Sequence, residues 1–180
     1  MTHAKGMPDS ETHDDIQTLN RALFFEHRAV WAYRAAGGKL SASEVGRAVR
    51  TIGDENRADH EKHQALLKAA IEGLGGGPIP MEESYDLSSF VKKGYGNLDN
   101  DVNIAKLALA MEVGAAAGYV TDATHLKLPE MIELEAGIAC VEAIHVARIR
   151  VAFNELGIDI PVVANPVLNA SSRTDWTIKV

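Results

Sequence analysis

The segment Glu-His-Arg-Ala-Val-Trp-Ala-Tyr at residues 26–33 decides the fold, because it places a carboxylate and a tyrosine two turns apart on one helical stripe. Leu19, Leu23 and Val30 share that stripe, so it is predicted to face the core. The segment Glu-Val-Gly-Ala-Ala-Ala-Gly-Tyr at residues 112–119 repeats the arrangement. The repeat predicts two related helical hairpins about a pseudo-twofold axis, each contributing half of one polar site.

Helical periodicity extends from these segments into four long helices, and no stretch alternates apolar and polar residues as a strand does. The predicted helices run from about Asp14 to Ala36, Ser43 to Gly73, Asn100 to Leu126 and Pro129 to Leu156. Short connections within the first pair and within the second pair predict antiparallel hairpins. About 27 residues separate the second helix from the third, with a short helix predicted around residues 87–93. Such a length is typical of a four-helix bundle with one long crossover.

The predicted bundle covers residues 14–157, and each end of the chain has a different character. Residues 1–13 are polar and acidic, which predicts a flexible N-terminal segment. Residues 158–180 contain Pro161 and Pro166, which predicts an extended C-terminal tail packed along the bundle or onto a partner chain.

Composition excludes several classes of function. The 180 residues carry 18 Lys and Arg against 25 Asp and Glu, a net charge of −7, which disfavours nucleic acid as a partner. The single cysteine, Cys140, excludes an internal disulfide and a multi-cysteine metal site, and we expect it to pack rather than react. No apolar run approaches the roughly 20 residues that span a bilayer, and no secretory signal opens the chain. We therefore expect a cytoplasmic protein with no membrane partner.

Each predicted helix interrupts its apolar stripe near the middle with carboxylate or imidazole groups. A buried carboxylate is costly unless it is paired or bound to a cation. Carboxylate oxygen and imidazole nitrogen suit iron or manganese, and zinc as well. The candidate metal ligands are Glu26, His60, His63, Glu112, Glu142 and His145. The alternative is a metal-free network of Glu–His ion pairs that orders the core.

With these residues in place, the sequence resembles the ferritin-like superfamily, the di-metal carboxylate bundles that include rubrerythrin-like proteins. The resemblance covers about residues 15–156 and implies an all-α, ferritin-like four-helix bundle holding two metal ions. It implies a Glu from the first and third helices and a Glu-x-x-His motif from the second and fourth. Glu26, Glu112 and the Glu142/His145 pair match this pattern.

The second helix departs from the family pattern, because His60 stands where a bridging glutamate is expected and His63 ends the motif. Asp59, water or hydroxide is expected to replace that bridge, or else the site holds one metal ion. Tyr33 and Tyr119 are expected to hydrogen-bond the ligands. Glu135 is interpreted as a surface residue at a helix end or as a group that supports the ligands. The remaining histidines, expected at the surface, are His3, His13, His27 and His125.

Three functions are compatible with this pattern. The first is a di-metal protein whose reduced centre reacts with dioxygen or peroxide, an oxidoreductase that takes electrons from an external donor. The second is a metal-free helical module for interaction or structure. The third is iron storage in a cage with the site as a ferroxidase centre. We expect a homodimer rather than a cage.

Overall fold

The computed structural model describes residues 10–180, so most of the expected flexible segment, residues 1–9, lies outside the described residues. Residues 10–180 form helices and no strand, which confirms the all-α prediction. The helices are α1 (Ser10–Gly37), α2 (Glu44–Gly73), α3 (Ser88–Lys92), α4 (Asp101–Asp122), α5 (Pro129–Glu155) and α6 (Arg173–Trp176). The four long helices are those predicted, and α3 is the short helix expected in the crossover.

Local chemistry explains where the long helices begin. The Ser43 side chain accepts a hydrogen bond from the Gly46 amide at the start of α2, and Asn100 caps α4 in the same way. Pro129 occupies the first turn of α5. Just before it, the backbone amides of residues 127 and 128 donate to the carboxylate of Asp15 at 2.8 and 2.9 Å, which ties α5 to α1.

Two predicted helix ends are wrong. α1 begins at Ser10 rather than Asp14, so residues 10–13 are helical and not part of a flexible segment. The side chains of His13 and Gln17 lie 2.8 Å apart, one turn from each other, and support this extra turn. α4 ends at Asp122 rather than Leu126. The Asp122 carbonyl accepts hydrogen bonds from the backbone amides of residues 125 and 126 in the turn that follows, and the Leu126 side chain is buried in the core.

The helices pack as two hairpins, α1 with α2 and α4 with α5, as predicted. One apolar cluster joins Leu19 and Leu23 of α1 to Leu67 of α2. A second cluster, toward the other end of the bundle, joins Leu109 of α4 to Phe153 of α5. The middle of the bundle, between the two clusters, is where each helix carries its polar residues.

The C-terminal tail packs on the bundle but is not extended throughout. It contains the short helix α6, whose Trp176 joins the second apolar cluster, and residues 177–180 follow that helix. The buried Arg150 of α5 anchors it, because Nε donates to the Pro161 carbonyl at 2.8 Å and Nη1 donates to the Trp176 carbonyl at 2.6 Å. These hydrogen bonds from Arg150 fix the path of the tail along the bundle, which could not be predicted from the prolines in the sequence.

α4 is the one described helix long and apolar enough to cross a membrane, by length and composition only, which corrects the expectation that no such segment exists. In the structure 56% of its 18-residue apolar window is buried in the bundle, and its midpoint carries Glu112. Its apolar character fits a core helix, because it faces its neighbours on more than one side.

Candidate metal centre

Four helices bring the six predicted ligands to one depth in the bundle. α1 supplies Glu26 and α4 supplies Glu112, while α2 supplies two histidines and α5 a Glu-x-x-His motif. None of the six is more than 5% exposed. The convergence predicted from the helical stripes is therefore what the structure shows, and it produces a buried group of side chains able to hold metal.

The six residues form two overlapping groups of four. The first contains Glu26, His60, His63 and Glu142, and the second contains His60, Glu112, Glu142 and His145. In each group the four ligand atoms lie within 4.8 Å of one another. His60 and Glu142 belong to both groups, so the arrangement offers two neighbouring candidate positions for an ion, with two shared residues.

His60 occupies the centre of this arrangement. Its Nδ1 lies 2.8 Å from Glu26 Oε2 and 3.5 Å from Glu142 Oε1, and its Nε2 lies 3.3 Å from Glu112 Oε1. An imidazole has two ring nitrogens that can serve different partners. The residue that departs from the family pattern thus contacts carboxylates of both groups, where the pattern has a bridging carboxylate.

The charges of the centre balance through protons when no metal is bound. Burial raises the pKa of Glu26, but the positive charges of His60 and His63 outweigh it and hold that pKa at about 2. Burial likewise lowers the pKa of His63 and His145, but adjacent carboxylates raise these values to about 9 and about 10. Three carboxylates and three imidazoles therefore form a near-neutral cluster that would release protons to bind cations.

The free atoms of the cluster fit a metal ion. Among residues 10–180, His63 Nδ1, Glu112 Oε2 and Glu142 Oε1 are buried without a hydrogen bond of acceptable geometry. His63 Nδ1 and Glu142 Oε1 nevertheless lie only 3.0 Å apart. Buried polar atoms are almost always satisfied in folded proteins, so three such atoms in one buried cluster are suited to share a cation. Nitrogen and carboxylate oxygen are ligands that iron, manganese and zinc accept.

Tyrosines donate hydrogen bonds to Glu26 and Glu112, as the sequence predicted. Tyr119 of α4 donates to Glu26 Oε1 of α1 at 2.5 Å, and Tyr33 of α1 donates to Glu112 Oε1 of α4. Asn56 donates to the same Glu112 oxygen at 3.4 Å, a contact the sequence analysis missed. Its signal was its position on the α2 stripe, one turn before His60.

The structure does not bring Asp59 into either group of ligands. Its Oδ2 lies 3.3 Å from Nε2 of His145, while its Oδ1 accepts from Lys62 at 2.8 Å. His145 directs its other nitrogen, Nδ1, toward Glu112 and Glu142. Asp59 thus orients a ligand from behind and does not replace the lost bridge.

Two further residues differ from expectation. His27 is 1% exposed rather than at the surface, because its Nε2 lies 3.3 Å from the Ile79 carbonyl and the crossover covers it. Glu135 is fully buried, so it is not a surface residue, and neither of its oxygens has a hydrogen-bond partner among the described residues. Burial, then the charge of Asp122, raises the pKa of Glu135 to about 8.

The other side chains outside the centre are simpler. His13 and His125 are exposed as expected, and His3 lies outside the described residues. Cys140 is exposed on α5, which corrects the expectation that it packs.

Comparison with known proteins agrees with this geometry. Residues 14–155 match the family of the ferritin-like domain. The chain belongs to that family. No curated protein matches the sequence of this ferritin-like chain. Among solved structures, it is similar to a conserved hypothetical protein of Mycobacterium tuberculosis, with 18% identity and a TM-score of 0.68. The match covers 87% of this chain and all of the other, and at that identity it shows the fold alone.

Proposed function

We propose that this ferritin-like protein binds two metal ions, iron or manganese, and that the reduced centre reacts with dioxygen or peroxide. The observation that carries the proposal is the pair of overlapping ligand groups that share His60 and Glu142. Glu26 and Glu112 would be terminal ligands and Glu142 a bridging one, with nitrogen ligands from the three histidines. A pair of such ions would supply electrons to an oxidant by changing oxidation state.

The side chains of the chain itself prepare the site for this chemistry. His63 and His145 hold protons in the metal-free protein and must release them at their ring nitrogens before they can bind a cation. Tyr33 and Tyr119 fix the orientation of the terminal glutamates, and Asp59 fixes that of His145. All six ligands are buried, so their own atoms have little contact with bulk water.

Elemental analysis of purified protein tests the proposal. Protein from cells supplied with iron and manganese should carry about two ions per chain, as di-metal bundles do. The double variant Glu142→Ala/His145→Ala should lose them. The matched control is Glu130→Ala/Glu133→Ala, which removes two exposed carboxylates from the same helix and should keep the metal. Circular dichroism confirms that each variant is helical.

Metal-free wild-type protein from those cells would refute the proposal and support the metal-free module instead. In that case a chelator would leave the melting temperature unchanged. Size-exclusion chromatography separates the remaining alternative, because iron storage requires a cage of many chains. We further propose that the protein is a cytoplasmic homodimer. We also propose that it takes electrons from a separate donor, because its single cysteine, Cys140, cannot form a cysteine cluster to carry them.

A further inference from the structure

A cavity between α1 and α4 leads from the protein surface to the proposed metal centre. Its volume is about 310 Å³. At the surface it is lined by Phe25, which is 37% exposed, and by the exposed Lys93. At its inner end it is lined by three ligands of the centre, Glu26, His60 and Glu112. A small molecule that enters here meets the centre from the His60 side.

Three cations without ion-pair partners line this cavity, although the chain as a whole carries a net charge of −7. They are Arg28 of α1, Lys93 just after α3 and Arg173 of α6, and no carboxylate of residues 10–180 forms an ion pair with any of them. The carboxylate of Asp122 also faces the cavity, but Arg21 binds it at 2.6 Å. Apart from the residues of the centre itself, the cavity lining therefore has an excess of positive charge.

Arg28 is the most constrained of the three cations. Its guanidinium carbon lies 4.8 Å from the centre of the Phe25 ring and 5.4 Å from that of Phe90. Its Nε is buried and has no hydrogen-bond partner among the described residues. Two aromatic rings thus hold a cation in place while its hydrogen-bonding capacity is unused, which is how an arginine is prepared to bind an anion.

Much of the remaining cavity wall is small and apolar, although Tyr33, Ser89 and Tyr119 also line it. α4 contributes Gly114, Ala115 and Gly118 together with Met111, and α1 contributes two alanines. The small apolar residues leave room along α4 for an apolar body. Dioxygen and peroxide are small and uncharged, so neither accounts for three cations and a cavity of this size. A route for entering metal cations would carry the opposite charge.

The replacement of the family's glutamate by His60 also adds positive charge to the cavity. With two divalent ions bound, the three carboxylates of the centre would offset three of four positive charges and leave one. A fourth carboxylate at this position, as in the family pattern, would leave none. Because His60 lines the cavity, this uncompensated charge would lie at its inner end.

We propose that the cavity binds an amphipathic organic anion, with its acidic head group at Arg28 and its apolar body along the small residues of α4. The ligand lies against the centre and is the substrate class that the cavity selects. This inference rests on the proposed function for the role of the ligand as a substrate, but the binding itself depends on Arg28 and is measurable separately.

Calorimetric titration of the metal-loaded protein with octanoate, octyl phosphate and octanol tests the proposal. The two anions distinguish a carboxylate head from a phosphate head, and octanol lacks the charge. At least one anion should bind, and at least about 10-fold more tightly than octanol, since hydrogen bonds to a charged group commonly contribute that much. Arg28→Met should weaken anion binding by a similar factor, and Lys93→Met should weaken it less.

Arg34→Met is the matched control, because Arg34 lies on the same helix, pairs with Glu61 and does not line the cavity. It should bind the anion as wild type does. Equal affinity of Arg28→Met and Arg34→Met, or no preference for the anions over octanol, would overturn the inference. Metal content measured on the same samples reads the proposed function separately, because neither arginine is a metal ligand. Lys93→Met removes an exposed side chain, so its effect is readable even if Arg28→Met does not fold.

Discussion

Replacing Glu135 by glutamine tests the conclusion that α5 buries an unpartnered carboxyl group two turns before Glu142. Glu135 has no exposed surface, and neither of its oxygens has a hydrogen-bond partner among residues 10–180. Burial, followed by the nearby charge of Asp122, raises its pKa from 4.5 to about 8. The side chain therefore carries its proton at neutral pH, and ionising it costs free energy of folding.

The sign and size of the effect follow from these two pKa values. A carboxyl group whose folded pKa is raised contributes its full stability below pH 4.5 and loses it as the pH rises through about 8. Between pH 5 and pH 8 the folded protein should lose roughly 3 kcal/mol of unfolding free energy through this group. Glutamine has nearly the same shape and does not titrate, so Glu135→Gln should lack that loss.

Urea unfolding followed by circular dichroism at several pH values measures the difference. Wild type, Glu135→Gln and the control Glu133→Gln are compared at equal metal content, because the histidines of the centre titrate in the same range. Glu133 is exposed on the same helix, so its variant should follow wild type. If the unfolding free energies of wild type and Glu135→Gln stay parallel from pH 5 to pH 8, Glu135 is not a buried neutral acid and the reasoning is wrong.

Two further predictions concern the centre itself. Tyr119→Phe should lower metal affinity about 10- to 100-fold, because Glu26 loses the hydrogen-bond donor that orients it. Competition with a chelator measures the affinity, and an unchanged value would contradict the role assigned to Tyr119. In chelator-treated protein, the raised pKa values of His63 and His145 give stability that is full below pH 6.5 and lost as the pH rises through about 9 and about 10. Thermal melting should show that loss, and metal-loaded protein should not, since bound metal displaces these protons.

The six side chains of the centre were predictable because a helical stripe is periodic. On each of the four long helices the polar residues fall on the same face as buried apolar residues, so one rule finds them all. The same rule fails at the edge of a stripe. On α2, Leu66 directly precedes the fully buried Leu67, yet 51% of Leu66 is exposed, whereas Ile71 is fully buried.

The residues that sequence reasoning misplaced depend on contacts that no helical pattern contains. His27 is buried because the crossover segment passes over it near Ile79, 52 residues further along the chain. Asp59 shares a face with His63, yet it contacts the outer nitrogen of His145 because of how α2 packs against α5. The burial of Glu135 likewise depends on the packing of its helix against α1 and α4. Each depends on the relative placement of elements.

The tyrosine–glutamate contacts between α1 and α4 are symmetric, whereas the ligands of α2 and α5 are not. A tyrosine seven residues after a glutamate lies roughly 10 Å along the same helix, too far to hydrogen-bond it. Tyr33 instead reaches Glu112 and Tyr119 reaches Glu26, which requires α1 and α4 to run antiparallel with matched halves. The repeat breaks in the other pair of helices, where α5 has a glutamate and α2 has His60. Because that one position lines the cavity between α1 and α4, the break alters the charge of the centre on the side from which a ligand would enter.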